Sequence, residues 1–223
     1  MVSTVKFLEF FDPVSVKAPV HIVGCGAIGS TLAENLVRLG INNLHLWDFD
    51  TVEDKNIANQ MYRFVDINKT KLEALAGMLK DIDPDAELTV HDKGYNGEIL
   101  SGYVFMAVDS MKIRQLIRDE NLFNPNILAM FDFRMRLSDA QHYAGDWKNK
   151  KSQKMFCDSM NFTDEEAKAD TPVSACGTTL SVLPTVREIV ASGVANFINF
   201  LKTGKLKRCI LIDAFAFEVV ALD

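Results

Sequence analysis

Three glycines stand at the spacing of a phosphate cradle: Gly24-Cys25-Gly26-Ala27-Ile28-Gly29. Gly24 lets the chain turn sharply off a strand. Gly26 lets backbone N–H groups approach phosphate oxygens with no side chain between. Gly29 lets the following helix pack close to a sheet. The start of that helix adds about half a positive charge toward an anion. Nineteen positions after Gly29 comes Asp48, an acid placed to accept hydrogen bonds from a ribose. This much chemistry fits ATP and NAD equally.

The elements around the loop are those it needs. Val20–Val23 reads as a buried strand entering the glycines. Ile28, Leu32, Leu36 and Leu39 recur at helical spacing, with Gly40 as the stop. Leu44–Trp47 reads as a second strand, ending in Asp48-Phe49-Asp50. A helix is expected from about Lys69 to Asp81, strands at Glu87–Val90 and Tyr103–Val108, a helix at Met111–Glu120 and a strand at Ile127–Phe131. Alternating strand and helix predict an α/β fold: a doubly wound, mostly parallel, Rossmann-like sheet. Further on, Ala140–Tyr143 reads as a strand, 145–172 as a polar stretch with no period, and Thr179–Leu201 as a long helix bent or started near Pro184. The tail, Cys209–Leu222, reads as strands around Asp213-Ala214, an antiparallel extension. One domain of 223 residues is expected, with the nucleotide-binding core at 20–135 and a crossover loop, long helix and terminal strands at 136–223.

Other features go beyond dinucleotide binding. They are Asp48-Phe49-Asp50-Thr51-Val52-Glu53, then Asn56-Ile57-Ala58-Asn59-Gln60, then Asn68-Lys69-Thr70-Lys71, then Val108-Asp109-Ser110. In order and spacing, from about residue 20 to 115, they resemble the ThiF/MoeB family, adenylating domains related to ubiquitin-activating enzymes. A looser resemblance runs through Phe131-Asp132-Phe133-Arg134-Met135. The resemblance implies an ATP site built from Gly24, Gly26, Ala27, Ile28, Gly29, Asp48, Asp50, Asn56, Asn59, Gln60 and Lys71. It implies that Asp48 takes the ribose, Lys71 reaches the phosphates and Asp109 holds Mg²⁺ by the α-phosphate. It implies a small ubiquitin-like or sulfur-carrier partner with a C-terminal glycine, and a homodimer. Taken singly, Lys71 reads as a solvated charge and Asp109 as a helix cap.

The chain departs from the family pattern in three places. Asn59 stands where an arginine is usual; Arg63 is open to a phosphate or a surface role. No arginine precedes Arg38, which leaves Lys6 or Lys17 as substitutes for the N-terminal one. The usual zinc site needs two CxxC pairs, and here Cys157 and Cys209 stand singly, so zinc is not expected. Cys176 precedes the long helix, where the resemblance implies a thiol able to take the activated partner. A small packed thiol is the competing reading. Cys25 reads as packing. The four histidines, His21, His45, His91 and His142, fall in or beside strands with no ligand spacing.

A net charge of −6 argues against a nucleic-acid partner. The longest charge-free apolar stretch near the end, Ile189–Leu201, is too short for a bilayer, and no secretory signal is visible. A cytoplasmic protein with free thiols is expected. Three functions remain in play: an ATP-dependent adenylyltransferase catalysing with Lys71, Asp109 and Cys176; a non-catalytic nucleotide-binding scaffold subunit of the same fold; and an NAD-dependent oxidoreductase, which Lys71, Asp109 and the short C-terminal part disfavour.

Overall fold

The computed structural model describes residues 2–169, 172–174 and 180–223. In chain order the elements are β1 (Val20–Val23), α1 (Ala27–Arg38), β2 (Asn43–Trp47), α2 (Lys71–Ile82), β3 (Glu87–His91), β4 (Gly102–Met106) and α3 (Met111–Glu120). After them come β5 (Ile127–Met135), β6 (Asp139–Asp146), α4 (Lys150–Asp158), α5 (Asp164–Ala169), α6 (Leu183–Thr203), β7 (Cys209–Asp213) and β8 (Glu218–Leu222). The strands form one sheet in the order β3-β2-β1-β4-β5-β6-β7-β8. β1 to β5 run parallel; β5 to β8 pair antiparallel. This is the doubly wound α/β sheet with its antiparallel extension. β1 and β4 are buried along their whole length, as central strands covered on both faces must be.

One face packs α1, α2 and α6 around Leu32, Leu36, Leu75, Phe105, Phe131 and Phe197. The other packs α3 and α4 around Trp47, Met106, Ile117, Trp147 and Phe156. α2 begins where Thr70 accepts from Glu73 N (3.1 Å), and α6 ends at Gly204 in the left-handed region that glycine adopts at low cost. No helix among the described residues is long and apolar enough to cross a membrane.

One expectation is corrected. The stretch 145–172 is not structureless: it continues β6 and then forms α4 and α5. Asn149 caps α4 by accepting from Lys151 N and Ser152 N, and Phe156 anchors it to the sheet. The long helix starts near Pro184 as expected, at Leu183, with the proline in its first turn, where its missing N–H costs nothing.

Three of the four histidines, His21, His45 and His91, are neighbours across the strands, although no metal-holding group forms among the described residues. Parallel register sets His21 beside His45, and Trp47 beside His91, on one sheet face. Trp47 Nε1 donates to His21 Nδ1 (3.2 Å), and His45 Nδ1 lies 3.2 Å from His91 Nε2. Trp47 stacks on His91 with ring centroids 3.5 Å apart. Burial, and then the neighbouring His45 and His91, push His21 down to about 3. Burial likewise pushes His142 down to about 4. Both are neutral when folded, so the unfolded chain binds more protons below its own histidine pKa of about 6.5. Stability therefore falls as pH drops from 6.5. His21 alone accounts for roughly 3 kcal/mol of the loss at pH 4. Asp66 and Asp83, held at about 2, add their losses only at lower pH. Denaturant midpoints at pH 7, 5.5 and 4.5 should fall, and His21→Gln should flatten that fall; an unchanged slope would refute the assignment.

Candidate functional site

The strand order reverses between β1 and β4, and the crevice beyond their C-terminal ends is where doubly wound sheets take ligands. The glycine turn sits there. Gly24 has φ +91°, and its N–H donates to Trp47 O (2.9 Å). A Cβ on Gly24 would lie 2.7 Å from Ala107 O, on the loop leaving β4. A Cβ on Gly29 would lie 1.8 Å from Gly24 O, so only glycine lets α1 close on the turn. Gly26 is the opposite case: a Cβ there would meet no atom within 4 Å. The first turn of α1, with Ala27 and Ile28, thus opens onto free space of the kind a phosphate would fill.

The turn is held from beneath. Asp48 is buried; its Oδ2 accepts from Cys25 N (2.6 Å) and its Oδ1 from Asp50 N (2.9 Å). Tyr62 donates its hydroxyl to Cys25 O (2.6 Å). Ser30 donates to Gly26 O (2.7 Å) and accepts from Met61 N (3.1 Å). Asp48 therefore organises the loop, with lone pairs left for a sugar hydroxyl. Burial first, and then Asp48, push the Cys25 thiol up, which fits a packing role. Tyr62 and Ser30 are supports that motif spacing did not reveal.

Lys71 opens α2, and its side chain is 8% exposed. Its Nζ donates to Asp50 Oδ2 (2.7 Å), and its N–H donates to Asp50 O (2.9 Å). It is linked to the glycine turn through Asp50 and Asp48, since Asp50 N donates to Asp48 Oδ1 and Cys25 N donates to Asp48 Oδ2. Asp50 is half exposed, so the pair opens toward solvent. A carboxylate tethering a lysine can yield it to a phosphate.

Asp109 is exposed on the loop after β4, whose Ala107 N donates to Val23 O (2.8 Å) and whose Ala107 O abuts Gly24. Lys71 and Asp109 thus lie in the segments that follow β2 and β4, the two strands on either side of β1. The cap of α3 is Ser110, which accepts from Ile113 N (3.3 Å), so Asp109 is left free of that role. Among the described residues no cluster of three His, Cys, Asp or Glu is arranged to hold a metal. A magnesium ion on Asp109 would take phosphate oxygens and water as its other ligands, as this ion commonly does.

The loop after β2 has mixed roles. Asn56 is buried and accepts from Glu53 N (2.8 Å), so it shapes a turn. Asn59 Nδ2 donates to Ser181 Oγ, just before α6. Gln60 Oε1 is buried with no hydrogen-bond partner among the described residues, which suits a ligand donor. Arg63 lies on Asp66 (3.0 Å) and near Asp81 (3.8 Å), which is a surface role. Cys176 lies outside the described residues.

A second polar group went unassigned from sequence. Asp132, within β5, is fully buried, and its Oδ1 accepts from Arg114 Nε (2.7 Å). Arg134 reaches its Oδ2 from Nε (2.7 Å) and Nη2 (2.6 Å). Burial opposes ionisation of Asp132, but the two arginines outweigh it and hold its carboxyl below the usual range.

Fold and turn together define a Rossmann-like α/β domain whose glycine loop opens at the switch point of the sheet. The ThiF family model matches residues 16–202, and the chain belongs to the ThiF family. Ubiquitin-like modifier-activating enzyme 5 of Arabidopsis thaliana is 44% identical over 69 residues, covering 31% of this chain and 16% of that protein. The Xenopus laevis protein of that name is 37% identical over 84 residues, covering 38% and 21%. The chain therefore matches about a fifth or less of the length of these relatives. Among solved structures, E. coli MccB with ATP superposes with a TM-score of 0.71 at 14% identity, covering 95% of this chain and 65% of that one. MccB in complex with N-formylated MccA gives 0.72 at 15%, covering 95% and 66%. PaaA gives 0.71 at 15%, covering 95% and 65%. At such identity these structures speak for the fold.

Proposed function

We propose that this protein binds ATP·Mg²⁺ and adenylates the C-terminal glycine carboxylate of a small ubiquitin-like or sulfur-carrier protein. A carboxylate oxygen attacks the α-phosphorus, the bond to the β-phosphate oxygen breaks, and pyrophosphate leaves. What supports this reading is the crevice that the glycine turn opens at the end of β1, with Lys71 and Asp109 in the segments that follow the two strands flanking β1. A carboxylate is a weak nucleophile and the phosphorus is crowded by negative charge. A lysine and a metal-bearing aspartate lower that repulsion and stabilise the departing pyrophosphate. The names of the relatives and of the MccB–MccA complex favour a protein or peptide substrate. Asp48 would bind the ribose, and Asp50, Asn59 and Gln60 would line the site. Cys176 is the thiol at which a covalent step would be sought, and a homodimer in the cytoplasm would be the working form.

The test is ATP–pyrophosphate exchange with carrier proteins ending in glycine; no exchange with any of them would count against the proposal. A scaffold role keeps one specific support, since Asn59 and the tied Arg63 leave the site without a free arginine from that loop. Tight ATP binding by calorimetry argues against that role. NADH fluorescence titration separates both from an oxidoreductase.

A further inference from the structure

The segment joining α4 to α5 is fastened to the domain by side chains from three elements. From β5, Arg134 donates through Nη1 to Ser159 O (2.8 Å) and through Nη2 to Ser159 Oγ (3.1 Å). Its guanidinium lies 4.4 Å from the ring centroid of Tyr143 and 5.2 Å from that of Phe162. From α3, Gln115 Nε2 donates to Met160 O (2.8 Å) and Phe162 O (3.1 Å). From α5, Asp164 accepts from Met111 N (2.5 Å), Ser110 Oγ (3.1 Å) and Lys112 N (3.4 Å). Residues 159–164 are thus a strap tied down along their length. Arg134 is itself fixed by the buried Asp132.

The strap ends on the residue beside Asp109. The Asp109 carboxylate makes no hydrogen bond or ion pair with another described residue, and it is exposed. Its direction is therefore set by its backbone. That backbone is held on one side where Ala107 N meets Val23 O, and on the other where Ser110 and Met111 meet Asp164. Freeing either side lets the carboxylate swing, and small misplacements of a charged group are costly in a preorganised site.

We propose that the strap is a positioning device for the Asp109 turn, with Arg134 and Asp164 as its fasteners. The inference rests on Asp109 being the magnesium-bearing acid of the proposed reaction. Asp164 and Arg134 are positioning residues and touch neither nucleotide nor metal.

The experiment uses the full chain with ATP and graded Mg²⁺ in a calorimeter, and amide hydrogen exchange without nucleotide. Asp164→Ala should raise the Mg²⁺ concentration for half-maximal ATP binding about 10-fold, the low end of the range for indirect supports to a metal site. Asp164→Asn, which keeps one acceptor oxygen, should recover part of the shift. Arg134→Lys, which keeps the charge and loses the fork, should move it the same way. In Asp164→Ala the amides of Met111 and Lys112 should lose protection while those of β1 and β4 keep it. Lost protection with an unchanged Mg²⁺ requirement would overturn the positioning role. Unchanged protection would overturn the strap contact. A wild-type chain that binds no ATP at any Mg²⁺ concentration would fail the adenylation reading, and the positioning role with it. That result differs from an Mg²⁺-independent variant of a chain that does bind.

Discussion

Lys71→Ala should lower ATP–pyrophosphate exchange by about 100- to 1000-fold, the loss that follows removal of one preorganised electrostatic group from a transition state. Lys71 is positioned before any nucleotide arrives. Thr70 caps α2, the Lys71 N–H is bound to Asp50 O, and Nζ is held at 2.7 Å by the Asp50 carboxylate. Its burial keeps water from competing for that charge. The fold should survive the change, because Asp50, the partner left behind, is half exposed and regains water. A melting temperature within a few degrees of wild type would show this. Lys71→Arg should recover little, since a longer planar fork cannot occupy a site shaped for a compact ammonium. Exchange within threefold of wild type in Lys71→Ala would remove Lys71 from the chemistry.

What was legible in the sequence follows the range of the physics involved. The glycine turn, β1, α1 and α3 are set by patterns within a dozen residues, and they stand where expected. The doubly wound order, which brings the ends of β2 and β4 to the two sides of β1, fixes the chain positions of Lys71 and Asp109, while their roles toward a nucleotide come from the family resemblance alone. α4 was missed because its sequence is polar but for Met155, Phe156 and Cys157, and only Phe156 is fully buried. Its one local signal was the Asn149 cap. The histidine column depends on register between β1, β2 and β3, which no single segment encodes. The strap is a long-range feature: Asp164 meets Met111 across 53 positions. Asp132 and Arg134 did carry a signal. They are two apart on a strand, hence on one face, and a buried acid beside a base on a sheet face asks for a partner.

That partner is Arg114, and the arithmetic of the cluster predicts which substitution hurts most. Two guanidiniums share one carboxylate, all three groups at 12% exposure or less. Asp132→Ala leaves two buried cations facing each other, and breaking a buried pair in this way costs about 3–5 kcal/mol. Whole-domain stability is only about 5–15 kcal/mol, so the variant should sit near the limit of folding. Asp132→Asn should be milder, since an amide oxygen still accepts from one arginine. Arg114→Met should be milder again. It leaves a neutral Arg134–Asp132 pair and an apolar chain of similar volume, although Phe133 O loses its 2.7 Å donor. The expected order of urea midpoints is therefore wild type, Arg114→Met, Asp132→Asn, Asp132→Ala, from highest to lowest. Asp132 is the one carboxylate that both arginines share, so an Asp132→Ala midpoint above that of Arg114→Met would mean that the excess positive charge is neutralised elsewhere.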